Sequence, residues 1–123
     1  MTQPLEHLSF DKPDDVLEGD KWRSEVLHLA GGAQVGRATV QPGWKWSEHI
    51  KPVAGTDLCM APHMGYQLSG RLHVVMQDGA EFEVGPGEVA SIPPGHDAWV
   101  VGDEPVVTID WQGASIWGRP QRQ

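Results

Sequence analysis

Six histidines and one cysteine are the side chains here best suited to hold a metal or to activate a nucleophile. Neutral imidazole is the commonest protein ligand for transition metals, and a thiolate adds a softer donor. One histidine, His96, ends the stretch Gly85–His96, "GPGEVASIPPGH", directly before Asp97. That segment carries glycines and prolines at both ends of a short apolar run, so it reads as a strand between two turns that delivers a histidine. Other chemistries lack their motifs. The chain has no G-x-x-x-x-G-K-[ST] and no G-x-G-x-x-G, and "GPGE" precedes a strand rather than a helix, so it is turn punctuation and not a phosphate cradle. No G-x-S-x-G nucleophile elbow occurs either.

The elements that must position these residues are short strands. With 15 glycines and 10 prolines among 123 residues, the chain is rich in tight turns and long enough for one domain with a core, expected to span 1–123. Alternating segments "SEVLHLA" and "QVGRATV" flank Gly31–Gly32 as a hairpin, and "GWKWSEHI" reads as a third strand. "YQL" and "RLHVVM" join at Ser69–Gly70, "AEFEV" follows Asp78–Gly79, and "EVASI" follows Gly85–Gly87. "AWVVG" and "PVVTIDW" complete the series. Strands at this spacing predict an all-β antiparallel sandwich or barrel. Residues 1–20 read as an irregular N-terminal arm, broken by Pro13 and Gly19, and the tail "GRPQRQ" is expected to fray.

The net charge of −8 argues against nucleic acid and anionic lipid as partners. A single cysteine rules out an internal disulfide, and there is neither a basic-apolar leader nor a spanning run at the N-terminus, so a soluble cytoplasmic protein is expected.

The glycine–proline skeleton resembles that of the cupins, a family of small jelly-roll β-barrels. The family's first motif is a glycine, five residues, His-x-His, a variable gap, a glutamate, six residues and a glycine. Gly43 and His49 match its start, Lys51 stands at the second histidine, and His63 stands at the glutamate, with six residues between it and Gly70. The second motif is a glycine, five residues, Pro-x-Gly, two residues and a histidine. Gly87, Pro93 and Gly95 match, Ala98 stands at the histidine, and His96 precedes it by two. The similarity covers about residues 40–111.

The resemblance implies a jelly-roll barrel with a divalent transition metal inside it: zinc, iron, nickel or manganese. His49 keeps a family ligand position and His63 replaces the carboxylate. Alternate residues of a strand share a face, so His96 points the same way as position 98. The expected metal set is therefore His49, His63 and His96. Lys51, on the same alternation as His49, either turns to the rim or holds an anionic ligand. Cys59 is either a softer ligand or a small buried hydrophobe. Gln67 shares the parity of His63 and is expected to bond a ligand or a bound water. Trp44 and Trp46, with parity opposite to His49, are expected to pack on the N-terminal strands or on a second subunit, which makes a homodimer the expected assembly. Asp97 is expected to cap a turn.

Two functions follow. One is a metal-dependent dioxygenase, isomerase or lyase acting on a small molecule. The other is a non-catalytic small-molecule binder or sensor that uses Lys51 for an anionic ligand.

Overall fold

The computed structural model describes residues 4–114 and 116–122. Among these residues nine strands form two antiparallel sheets. In chain order they are β1 (Asp15–Gly19), β2 (Trp22–His28), β3 (Gln34–Val40), β4 (His63–Ser69), β5 (Arg71–Met76), β6 (Glu81–Val84), β7 (Val89–Ile92), β8 (His96–Val101) and β9 (Val106–Gln112). The larger sheet runs β1-β2-β3-β9-β4-β7 and the smaller β6-β5-β8. This is the all-β antiparallel architecture that the strand spacing predicts, and it is consistent with the jelly roll that the resemblance implies. Among the described residues no helix is long and apolar enough to cross a membrane.

From β4 onward the chain passes back and forth between the sheets, and turn residues set each crossing. Gly70 joins β4 to β5 with φ of 74°, and a Cβ there would lie 2.5 Å from the Pro105 carbonyl oxygen. Only glycine fits both demands. The crossing from β7 to β8 uses Pro93–Gly95, so the strand restarts at His96. Side chains of β8 alternate, with His96, Ala98 and Val100 buried. On β4 the inward set includes Gly65 and Gln67, and Met64, Tyr66 and Leu68 face outward. Apolar side chains from both sheets fill the space between them together with Trp44, Trp46 and Trp117 from the connecting and C-terminal segments, and these three and Trp22 of β2 are the largest.

Three local expectations are corrected. Asp15–Gly19 belongs to the sheet and not to an irregular arm: it pairs with β2 from Asp15↔Val26 to Gly19↔Trp22. "GWKWSEHI" is not a strand. Only Lys45 keeps a bridge, to Trp99, and the chain then winds into two short helical turns, α1 (Trp46–His49) and α2 (Lys51–Ala54). A borrowed cap explains the first turn: Asp97 Oδ1 accepts from the Ser47 amide at 3.1 Å and from Ala98 N at 2.9 Å, satisfying one of the donors a helix start leaves open. Pro52 in the first turn of α2 and Gly55 at its end, in the left-handed region, complete the second. The tail does not fray at Gln121, whose amide donates to the Ala54 carbonyl at 2.8 Å.

Candidate metal centre

Cys59, His63 and His96 come together where the loop that follows α2 meets the start of β8. Their ligand atoms all lie within 4.8 Å of one another. Backbone pairing fixes two of the three: Cys59 N donates to the His96 carbonyl at 2.8 Å, and Gly95 N to the Cys59 carbonyl at 2.8 Å. This isolated bridge lays the 59–60 segment against the start of β8. His63 opens β4 opposite Ile92 of β7. Its ring meets that of His96 edge-on, with centroids 5.3 Å apart.

The hydrogen bonds select the tautomers. A carbonyl only accepts, so His96 Nδ1, 2.8 Å from the Pro93 oxygen, carries a proton and leaves Nε2 with its lone pair. His63 Nδ1 donates to Asp110 Oδ2 at 2.6 Å, and its Nε2 lies 3.9 Å from Cys59 Sγ. Asp110 also accepts from Gln112 N at 2.9 Å, which fixes the carboxylate. A carboxylate or carbonyl behind each imidazole is the arrangement that orients histidines toward a metal. Gln121 adds a donor from the tail, with Nε2 3.8 Å from Cys59 Sγ and Oε1 accepting from Met60 N at 2.8 Å.

Burial by itself raises the Cys59 thiol, but hydrogen bonds and charge from His63 and His96 outweigh it and hold the group at about 6. Burial by itself lowers His63, but its bonds to Asp110 and Cys59 bring it up to about 9. Without a metal the pair is therefore a thiolate beside an imidazolium near neutral pH. A cation bound there would take the place of the imidazolium proton on Nε2.

The donor set fits a transition metal. Bonds of about 2.3 Å to sulfur and 2.1 Å to nitrogen, meeting at the tetrahedral angle, put sulfur and nitrogen about 3.6 Å apart. Cys59 and His63 stand at 3.9 Å, so little contraction is needed. Three protein ligands leave a fourth position open, the pattern of catalytic rather than structural zinc. A thiolate with two imidazoles suits zinc, iron or nickel better than manganese, which prefers oxygen.

Beside the cluster is a cavity of about 90 Å³. One water needs about 10–15 Å³ of such space, so the cavity has room for a small organic molecule. His63, His96, Asp110, Gln67, Trp44 and Trp46 are among its lining residues, and Leu72, Val84, Ile92 and Val106 give it apolar walls. Gln67 is locked, donating to the carbonyls of Gly70 and Val84 at 2.7 and 2.8 Å. Trp44 and Trp46 line this cavity as part of the core, not a separate subunit contact. Their indole nitrogens are buried with no hydrogen-bond partner.

The other expected site residues lie elsewhere. His49 is not in the cluster. It ends α1 with Nδ1 accepting from Lys45 N at 3.0 Å, and its Nε2 stands 3.7 Å from Asp20. The helical turn at 46–49 breaks the alternation that was to aim it inward. Lys51, at the start of α2, is about half exposed, 3.7 Å from Asp57, and does not line the cavity. Asp110 and Gln121 went unnoticed in the sequence. Asp110 had a signal, as the one acidic residue in the apolar run "VVTIDW". Gln121 had none.

No protein-family model and no curated protein matches this sequence. Solved structures do match in fold. A sugar phosphate isomerase of the cupin superfamily from Silicibacter pomeroyi is 23% identical, with a TM-score of 0.59 over 85% of this chain and 73% of that one. A protein of unknown function from Acidithiobacillus ferrooxidans is 16% identical, with a TM-score of 0.57 over 88% and 92%. An oxalate decarboxylase from Bacillus subtilis is 21% identical, with a TM-score of 0.53 over 81% of this chain but only 27% of its own length. Strand order, the crossings and these likenesses together give this chain the cupin fold.

Proposed function

We propose that this chain holds one transition metal at Cys59, His63 and His96 and acts on a small organic molecule in the adjoining cavity. The observation that carries this is the pattern of hydrogen bonds: Asp110 and the Pro93 carbonyl tie off both Nδ1 atoms, so both Nε2 atoms are left to face an ion near Cys59 Sγ, which would displace the proton on His63 Nε2. A metal bound there would act as a Lewis acid on a substrate oxygen at its open position. The chain's own residues do the rest. Asp110 holds the His63 ring in place and balances its charge. The apolar walls exclude water, which strengthens electrostatic interactions inside. Gln67, with both amide protons committed, is a fixed part of the wall rather than an acid or base.

Isomerase or lyase chemistry on a small molecule is the reading we favour, and the sugar phosphate isomerase and oxalate decarboxylase among the fold's members are in keeping with it. With Lys51 outside the cavity, a binder that neutralises an anion through Lys51 has lost its support. The test is elemental analysis of tag-free protein alongside Cys59→Ser, His63→Ala and His96→Ala. We expect about one zinc, iron or nickel per chain in the parent and loss of it in all three variants. Undiminished metal in the variants would overturn the assignment.

A further inference from the structure

We propose that the cavity takes a short unphosphorylated carbon chain bearing two or more hydroxyl groups, bound by a row of polar side chains, Ser24, Thr108 and Gln67. The inference rests on this cavity being the chamber of the proposed function, and it names the class of compound that the chamber accepts. Backbone pairing builds the row. Ser24 of β2 faces Ala38 of β3, Ala38 faces Thr108 of β9, and Thr108 faces Gln67 of β4. Residues paired directly across antiparallel strands share a face of the sheet, and all four line the cavity. The row on one side, Trp22, Val40 and Val106, is apolar, and the row on the other holds Gly36, Asp110 and Gly65. The polar row therefore lies one pleat from the carboxylate that holds His63.

Its oxygens are free. Gln67 donates both amide protons to the carbonyls of Gly70 and Val84, which fixes its orientation and leaves Oε1 without a donor. Among the described residues, the Ser24 and Thr108 hydroxyls have no hydrogen-bond partner either. The unpaired atoms that are fully covered are Gln34 Oε1 and the Trp44 and Trp46 nitrogens, so the oxygens of the row meet open space. Ser24 and Gln67 are 5% and 2% exposed overall, which makes that space the cavity.

The chemistry of the row selects the occupant. A fixed Oε1 needs a donor, and a hydroxyl gives or takes a bond as its partner requires, so hydroxyl groups suit all three positions. A phosphate would bring chiefly acceptors and meet no free cation. Arg37 is the one lysine or arginine lining the cavity, and its Nε and Nη2 are committed to Glu25 at 2.9 and 3.2 Å. Glu88 and Asp110 add carboxylates to the lining. Strands about 4.8 Å apart set Ser24 about 10 Å from Thr108, with only the methyl group of Ala38 between them, so the floor has length for a short chain. The cavity's 90 Å³ corresponds to about six to nine waters, which limits that chain to a few carbons.

The test is carbon–proton NMR of threonine and isoleucine methyl groups while glycerol or erythritol is titrated in. Thr108 and Ile92 both line the cavity, and Thr108→Val and Ile92→Val each delete one signal and so assign the two. 1-Propanol and 1-butanol are the controls with one hydroxyl, and glycerol 3-phosphate is the charged control. Every titration is run on zinc-loaded and chelator-stripped protein, with metal content measured on the same samples. We expect both signals to move saturably with at least one polyol in both forms. We expect at least fivefold weaker binding of the two alcohols, and of glycerol 3-phosphate to stripped protein. Polyol binding should weaken at least fivefold in Ser24→Ala and in Thr108→Val, read from Ile92, and stay within twofold of the parent in Thr108→Ser. No movement with either polyol overturns the proposal, and leaves the metal site standing if about one metal per chain is present. Polyol binding by protein that takes up no metal upholds it and counts against the metal assignment alone. Alcohols or glycerol 3-phosphate as tight as the polyols in stripped protein, or polyol binding unchanged in both variants, also overturns it. Should Thr108→Val fail to fold, Ser24→Ala decides.

Discussion

Replacing Asp110 by asparagine keeps shape and removes one interaction. Asparagine can still accept from Gln112 N, as Asp110 Oδ1 does at 2.9 Å. The other atom, 2.6 Å from His63 Nδ1 in the parent, becomes an amide nitrogen facing an N–H. Two donors cannot pair, so the imidazole moves its proton to Nε2 or turns away, and either change withdraws the lone pair from the cluster. Loss of the carboxylate behind a metal-bound histidine lowers affinity about 10–100-fold, or about 1.4–2.7 kcal/mol. Competition for zinc against a chromophoric chelator reads this directly. Stability is a second readout, because a buried charge-assisted hydrogen bond contributes about 1.5–3 kcal/mol. We expect the metal-free variant to melt about 6–10 °C lower near pH 6. The sign with pH follows from His63. Its folded value of about 9 lies above the usual 6.5, so its contribution is full below about 6.5 and lost as pH rises through 9. The gap between parent and variant therefore narrows above pH 9. Zinc affinity within threefold of the parent, with an unchanged gap from pH 6 to 9.5, would refute the role of Asp110.

Further outcomes follow from the same geometry. In metal-free protein, thiolate absorbance should titrate with a midpoint near 6, the value to which its neighbours hold Cys59, and His63→Ala should move it up by a unit or more; a parent midpoint above 8 contradicts the pairing. His49→Ala should leave zinc affinity within twofold, because His49 caps its own turn; a tenfold loss by chelator competition would return it to the site. Lys51→Ala breaks an exposed 3.7 Å pair with Asp57 and should change unfolding free energy by less than about 0.5 kcal/mol in urea. Gly113→Ala should cost at least about 2 kcal/mol, since φ is +85° and the new Cβ would overlap the Pro62 carbonyl beside His63; an unchanged melting temperature would show that this turn is free to move.

The fold was legible because turn chemistry is local. Ser69–Gly70, Pro93–Gly95 and the alternation between them needed no tertiary information, and the strand that starts at His96 follows from them. The site was legible only in part. His63 and His96 sit on strands, where period-two alternation tells which way a side chain faces. His49 and Lys51 sit in a segment whose pattern suits a strand but whose first amides are capped by Asp97, 50 positions away in sequence. That contact cannot be read from local pattern. It turns Trp44 and Trp46 into the cavity and takes His49 off the alternation. Cys59 could be weighed as a ligand but not chosen, because its place depends on backbone pairing with His96. Gln121 reaches the cluster only because the tail docks on Ala54.

The central claim is the identity of the three ligands, and X-ray absorption at the metal edge of zinc-loaded protein tests it most directly. The account predicts one sulfur at about 2.3 Å and two imidazole nitrogens at about 2.1 Å, with a light atom completing four-coordination. A shell of nitrogen and oxygen without sulfur would contradict it and return the site to the His49, His63 and His96 arrangement.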